Sequence, residues 1–252
     1  MNKDPRALAF VNLFAILGAL EPLCQLVPEA KALIAEKKIA LAIAVKNGPE
    51  ATLCFDHGNC SMVPGVQSCQ IKLPFSTPEK FNGMIDGTTK PFPSKGFTKL
   101  GFLLHEFTNL TNILTHYLRP NPEDLRDETF FRRSTLLMLH VIAGAVAQLG
   151  NEDPVSQQSA SYIPDGIIRL SIPNEAAVGI LAEDHHLSVL RQVGENYTSA
   201  MEFQDIRLAR DLFDGKVNSV ACVGMGQVTI KGMIPQVDNL NRILDRVAVY
   251  LA

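Results

Sequence analysis

Apolar residues recur along this chain in two rhythms. Residues 39–45 (IALAIAV) form an unbroken apolar run of strand length, and residues 167–172 (IIRLSI) form another. A polar turn of hairpin type follows each, Asp56-His57-Gly58-Asn59 and Glu183-Asp184-His185-His186. Further strands are predicted over 68–75 (SCQIKLPF) and 198–205 (TSAMEFQD), where residue character alternates. A helix comes next in both stretches, introduced in the first by Thr77-Pro78-Glu79 and closed by Asp86-Gly87 and Asp214-Gly215. A last strand, around Thr98 or Thr229, leads into an amphipathic closing helix. In the second stretch that helix places Val237, Leu240, Ile243, Leu244, Val247 and Leu251 on one face. Asp238, Arg242, Asp245 and Arg246 fall on the other, so the helix is predicted to lie over a sheet.

Two more apolar segments stand outside this pattern. Residues 7–20 are apolar apart from Asn12 and Gly18. The run is too short to span a bilayer and lacks a clear small-residue cleavage site before Glu21-Pro22, so it reads as a buried helix begun by Pro5 and ended near Pro22. Asn121-Pro122-Glu123-Asp124 reads as a turn into a long central helix rich in Phe, Leu, Val and Ile. The Ser, Gln and Pro content of residues 150–164 marks a linker. The expected organisation is therefore an N-terminal helical segment (1–30), a first unit (31–120), a connecting helix (121–150) and a second unit (151–252).

The two units repeat one another in three blocks. IALAIAV lies on IIRLSI at an offset of 129, and FNGMIDG (81–87) lies on ARDLFDG (209–215) at 128. GFTKLGFLLHEFTNLTNIL (96–114) lies on GQVTIKGMIPQVDNLNRIL (226–244) at 130, pairing Gly96 with Gly226. Two stretches then point to a family: LFDGKVNSVACVGMGQVTIKG (212–232), with Gly226 and Gly232 bracketing its strand, and IKLPFSTPEKFNGMIDG (71–87). On these residues the chain resembles the sterol carrier protein family of lipid-binding domains, in two divergent copies. The first copy departs from the pattern at TTKPFPSK (88–95), whose prolines oppose a helix where the second copy has the apolar run 217–225.

The resemblance implies an α+β fold of two units. Each would be a mostly antiparallel sheet covered by helices on one face, with an apolar tunnel between them for a fatty acid, sterol-like molecule or other lipid. Such a ligand is retained by desolvation, about 0.8 kcal/mol per methylene, which calls for bulky, mobile, apolar walls. In the second unit the wall candidates are Phe203, Leu212, Phe213, Met225, Val228, Ile230, Met233, Ile234, Leu240 and Leu244. In the first they are Phe75, Met84, Ile85, Leu100, Leu103, Leu104, Leu110 and Leu114. The same residues would equally fill a solid core, and the rival reading is a structural or regulatory module whose cavities are closed.

Composition narrows the alternatives. With 46% apolar and 19% charged residues the chain is neither disordered nor a charged coiled coil, and a net charge of −3 gives no basic field to gather nucleic acid. Five cysteines at irregular spacing fit a reduced, cytoplasmic protein. No nucleophile elbow, zinc-protease helix or phosphate loop occurs, so a binding protein without catalysis or cofactor is expected, and an acyl hydrolase or transferase is less favoured. Gly224-Met225-Gly226 precedes a strand and reads as a helix end, not a dinucleotide fingerprint.

The expected partner is a lipid or fatty-acyl ligand, with at most transient membrane contact and room for a homodimer. Cys54, His57, Cys60 and Cys69 make the one ligand-rich cluster. Turn and strand roles are preferred for them over zinc, because the second unit has no cysteine at the corresponding turn. His105 and Glu106 open the first closing helix and read as a solvated helix start, with a ligand head group as the alternative. His116 and His140 read as hydrogen-bonded structure, Arg132 and Arg133 as surface ion-pair residues, and Cys222 as a small core residue.

Overall fold

Proline and the residue before it decide where the long helices stop. In the computed structural model, which describes residues 3–252, the Asp4 side chain accepts hydrogen bonds from the amides of Arg6 (2.8 Å) and Ala7 (2.9 Å), and Pro5 opens helix α1, Pro5–Leu26. A π turn at Val11–Ile16 and a 3₁₀ turn at Leu17–Ala19 rearrange the helical ladder just ahead of Pro22, and the helix runs through that proline. It ends at Val27, which is extended because Pro28 follows, not at Pro22 as expected. At 22 residues α1 is long and apolar enough to cross a membrane, as is α5 below, but most of each is buried inside the protein. Both read as core helices.

The chain divides into two compact units, residues 1–133 and 134–252. In the first, α1 is followed by α2 (Pro28–Leu33) and strands β1 (Lys38–Val45), β2 (Glu50–Asp56), β3 (Asn59–Pro64) and β4 (Ile71–Phe75). Helix α3 (Pro78–Ile85), capped by Thr77, and a closing helix α4 over residues 100–118 complete it. The sheet order is β3-β2-β1-β4. His57 and Gly58 both have positive φ, which gives the two-residue turn between β2 and β3 the twist a hairpin needs. Leu41, Ile43, Leu53, Phe55, Ile71 and Leu73 are buried side chains of the sheet. Asn12 on α1 and Asn82 on α3 are buried polar groups that satisfy each other at 3.0 Å, and the Asn82 amide also donates to the Pro5 carbonyl.

The second unit runs through a similar order of elements, with one more helix and one more strand before its closing helix. Helix α5 (Glu128–Glu152), within which the division falls, precedes α6 (Pro154–Ala160) and strands β5 (Gly166–Ile172), β6 (Ala176–Glu183), β7 (His186–Leu190) and β8 (Ser199–Phe203). Then come α7 (Ile206–Phe213), α8 (Ser219–Gly224), β9 (Val228–Gly232) and the closing helix α9 (Ile234–Leu251). The sheet order is β7-β6-β5-β8-β9. Asp184 and His185 form the corresponding left-handed hairpin turn. Arg210 stands where Asn82 does, at the 128-residue offset, and donates from Nη1 to the Ser134 hydroxyl on α5 (2.7 Å). In each unit, then, a polar side chain of the short helix is tied by a hydrogen bond to the long helix.

Each sheet is mostly antiparallel, as expected, but holds one parallel pairing, and three further expectations need correction. Both sheets are mixed: β1 pairs with β4, and β5 with β8, in parallel, while the other pairings are antiparallel. After each hairpin the chain crosses to the far edge of the first strand, which reverses the direction a simple meander would give. No strand forms around Thr98. Phe97–Lys99 is a 3₁₀ turn, and β4 meets only the single bridge Lys72 to Lys95 there, because Pro91 and Pro93 withhold amides from a ladder. Residues 150–164 are not an open linker, since α6 occupies their middle, capped by Asp153.

Finally, Gly96 matches Gly232 and not Gly226. Both Gly96 and Gly232 are left-handed. A Cβ on Gly96 would overlap the Gln70 carbonyl oxygen, and one on Gly232 the Thr198 carbonyl oxygen, residues themselves 128 apart. Around Gly226 there is open space.

Two outcomes follow. Gly232→Ala is expected to destabilise the second unit by at least about 2 kcal/mol, since it adds left-handed strain to the overlap, and urea unfolding measures this. Asp153 is buried and accepts bonds from Arg246 (2.8 and 3.2 Å), Tyr250 (2.8 Å) and Ser156 (3.0 Å). Burial pushes its pKa up, but these donors outweigh burial and bring it down to about 2. The ionised form is therefore favoured by folding. Its contribution, about 2 kcal/mol, is complete above the ordinary carboxylate range and is lost as pH falls from about 4 to about 2. Asp153→Asn leaves Arg246 buried without its carboxylate, so a loss of about 3 to 5 kcal/mol at neutral pH is expected.

Candidate functional site

In the second unit the candidate residues lie on β8, α7, β9 and α9. The Asp205 side chain caps α7 through the Leu208 amide (2.8 Å), and Gly215, left-handed, ends the turn after it. Asn218 caps α8 through the Ala221 amide (3.0 Å). Helix α8 has apolar residues on every side. Cys222 is its one buried side chain, so Val220 and Val223 face outward. Strand β9 is the edge of its sheet. The start of α9 is fixed by Gln236, fully buried, whose Nε2 donates to the Pro164 carbonyl (2.9 Å) and whose Oε1 accepts from the Ser199 hydroxyl (2.7 Å).

These elements grade the candidates from surface to interior. Met225 (67% exposed), Ile234 (64%) and Met233 (40%) stand at the surface and not on an inner wall. Leu212, Phe213, Ile230 and Leu244 are half-buried, while Phe203, Val228 and Leu240 are buried. The Phe203 and Phe213 rings meet edge to face at 5.6 Å. Charges along this stretch are paired: Lys216 with Asp214 (2.8 Å) and Asp211 (3.8 Å), and Lys231 with Glu202 (3.7 Å). Burial raises the pKa of Asp214, but hydrogen bonds from Arg210 and Lys216 more than offset it, and the carboxyl stays below its usual range.

The first unit shows the same gradation with different residues. Leu104 is exposed, Met84, Ile85, Leu100 and Leu103 are half-buried, and Phe75, Leu110 and Leu114 are buried. Phe75 meets Phe81 edge to face at 5.2 Å. The apolar residue directly after the clamped glycine, Phe97 here and Met233 in the second unit, is exposed in both. Phe92, Phe97 and Val220 escaped the sequence reading. The signal for Val220 was a short helix without a polar face; for the two phenylalanines it was the Pro-rich segment, which leaves no sheet or helix to bury them.

The other candidates do not converge. Cys54 pairs across β3 with Ser61, and Cys60 across β2 with Phe55, so strand alternation sends their side chains to opposite faces. His57, in the turn, holds Asp56 at 2.6 Å. Cys60 neighbours Cys24 of α1, and that neighbour together with burial raises the pKa of its thiol. Among the described residues no group of three or more His, Cys, Asp or Glu is placed to hold a metal. Glu106 is taken up by Lys37 at 2.6 Å, which draws its pKa down, and His105 is exposed. His116 bonds Asp124 at 2.9 Å. His140 is half-buried, with its pKa lowered to about 4, first by burial and then by the charge of Arg191. Arg132 is exposed and Arg133 half-buried.

The sequence matches none of the models of known protein families and none of the curated proteins it was compared with. Solved structures similar to part of this chain include three sterol carrier protein domains. The solution structure of the sterol carrier protein domain 2 of Helicoverpa armigera is 18% identical, with 51% of this chain and 93% of that one covered at a TM-score of 0.36. The crystal structure of sterol carrier protein 2 is 15% identical, covering 44% and 92% at a TM-score of 0.34. The UbiJ-SCP2 ubiquinone synthesis protein is 16% identical, covering 43% and 92% at a TM-score of 0.33.

Proposed function

We propose that the chain binds an apolar ligand, a fatty acid, sterol-like molecule or other lipid, and passes it on without catalysing a reaction on it. The observation that carries this reading is the exposed apolar residue after the clamped glycine in each unit, Phe97 and Met233, backed by half-buried and then buried apolar side chains. Large apolar side chains held in water are unfavourable unless something covers them. An alkyl chain covering them would be held by desolvation at about 0.8 kcal/mol per methylene. Met225 and Met233 suit the task, since an unbranched thioether adapts to ligands of different shape. Paired charges around the second unit's site leave desolvation as the driving force there.

Denaturing mass spectrometry of an organic extract of the purified full chain is expected to show bound lipid near one equivalent. An empty extract, together with no uptake of a fluorescent fatty acid, would overturn the reading in favour of closed units. Met233→Arg is expected to remove uptake by the second unit while changing stability by no more than about 0.5 kcal/mol, because the residue is part-exposed. Leu240→Ala, at a fully buried position, is expected to lose about 2 to 5 kcal/mol in urea unfolding.

A further inference from the structure

Unit one carries a surface that the second lacks. From Gly87 to His105 there are three lysines, Lys90, Lys95 and Lys99, and no acidic residue, in a chain whose net charge is −3. All three are exposed. Lys95 donates to the Cys69 carbonyl (2.6 Å), a contact that leaves its charge uncompensated. Among the described residues no carboxylate pairs with Lys90 or Lys99. The contrast with the second unit is direct, since Lys216 and Lys231 are both held by acids.

The same stretch presents bulky apolar groups to solvent. Phe92 is 75% exposed and Phe97 54%, with ring centroids 5.8 Å apart, and Leu104 is 67% exposed. Phe97, in the 3₁₀ turn that leads into the closing helix, and Leu104, one to two turns further on, are both exposed. Pro91 and Pro93 keep the Phe92 segment out of both helix and sheet, so its ring has no interior to enter.

Unpaired cations interleaved with exposed aromatic rings fit an interface that is anionic at its surface and apolar just beneath. We propose that residues 90–104 dock the first unit on an anionic lipid bilayer, with Phe92, Phe97 and Leu104 entering the acyl boundary while Lys90, Lys95 and Lys99 meet the headgroups. Charge complementarity selects this occupant: apolar side chains gain nothing from a free anion, and the lysines gain nothing from a neutral bilayer. The docking goes beyond ligand binding and does not depend on it.

The full chain is to be sedimented with vesicles of phosphatidylcholine alone and with vesicles rich in phosphatidylserine. Binding is expected only to the second kind and is expected to fall with added salt. Each lysine near an anionic surface contributes about fivefold in partitioning, so Lys90→Gln with Lys99→Gln is expected to weaken binding about twenty-fivefold. Phe92→Ser is expected to weaken it with an unchanged thermal melting curve, because the ring is exposed. Equal binding to both vesicle types, no binding to either, or binding indifferent to these variants would overturn the proposal. So would retention of single-stranded RNA by the same lysines without vesicle binding. A protein that binds anionic vesicles yet carries no extractable lipid and takes up no fluorescent fatty acid would sink the proposed ligand binding and leave the docking standing.

Discussion

A glycine pressed onto a neighbouring strand's backbone sets the layout of each unit. At Gly232 and Gly96 the main chain comes so close to the carbonyls of Thr198 and Gln70 that no side chain fits. The close approach fixes where the sheet-side segment stops and the turn to the closing helix begins. It also decides which way the next side chain leaves, and in both units that side chain is apolar and directed to solvent. Met233 and Phe97 follow this contact directly in the chain.

The interior is otherwise held by few polar connections, each satisfied by more than one partner. Asn82 joins α3 to α1 through Asn12 and the Pro5 carbonyl, and Arg210 joins α7 to α5 through Ser134 while pairing with Asp214 at 2.9 Å. Asp153 gathers Arg246, Tyr250 and Ser156 at the start of α6, and Gln236 bridges the start of α9 to β8 and the Pro164 carbonyl. Such groups would be unfavourable if left alone in an apolar interior, and multiple donors and acceptors make them fasteners instead. Two of them, at Asp153 and Gln236, hold the beginnings of α6 and α9, while Asn82 and Arg210 hold the bodies of α3 and α7.

Local rules made most of the elements legible. Alternation and apolar runs located β1, β4, β5 and β8, and turn chemistry located both hairpins, because those signals are short-range. What the residues could not reveal was long-range: the crossover that makes β4 and β8 parallel to their neighbours, and the match of Gly96 to Gly232. A gap-free alignment set Gly96 against Gly226 on sequence identity, whereas the true partner is defined by a carbonyl that only folding brings near. The site was half legible for the same reason. Phe203, Leu240 and Leu114 read as apolar and are buried, but nothing in their neighbours' composition distinguishes them from Met225 or Leu104, which stand in water. Exposure depends on what covers a residue, and the cover comes from elsewhere in the chain.

Strand β9 closes one border of its sheet with no further strand beyond it. Such a border is a template on which another molecule's backbone could zip, and prolonged zipping leads to fibres. Lys231, in the middle of β9 and turned to solvent, together with the bend at Gly232, disfavours that growth. An open sheet edge and resistance to self-assembly are thus reconciled within one five-residue strand.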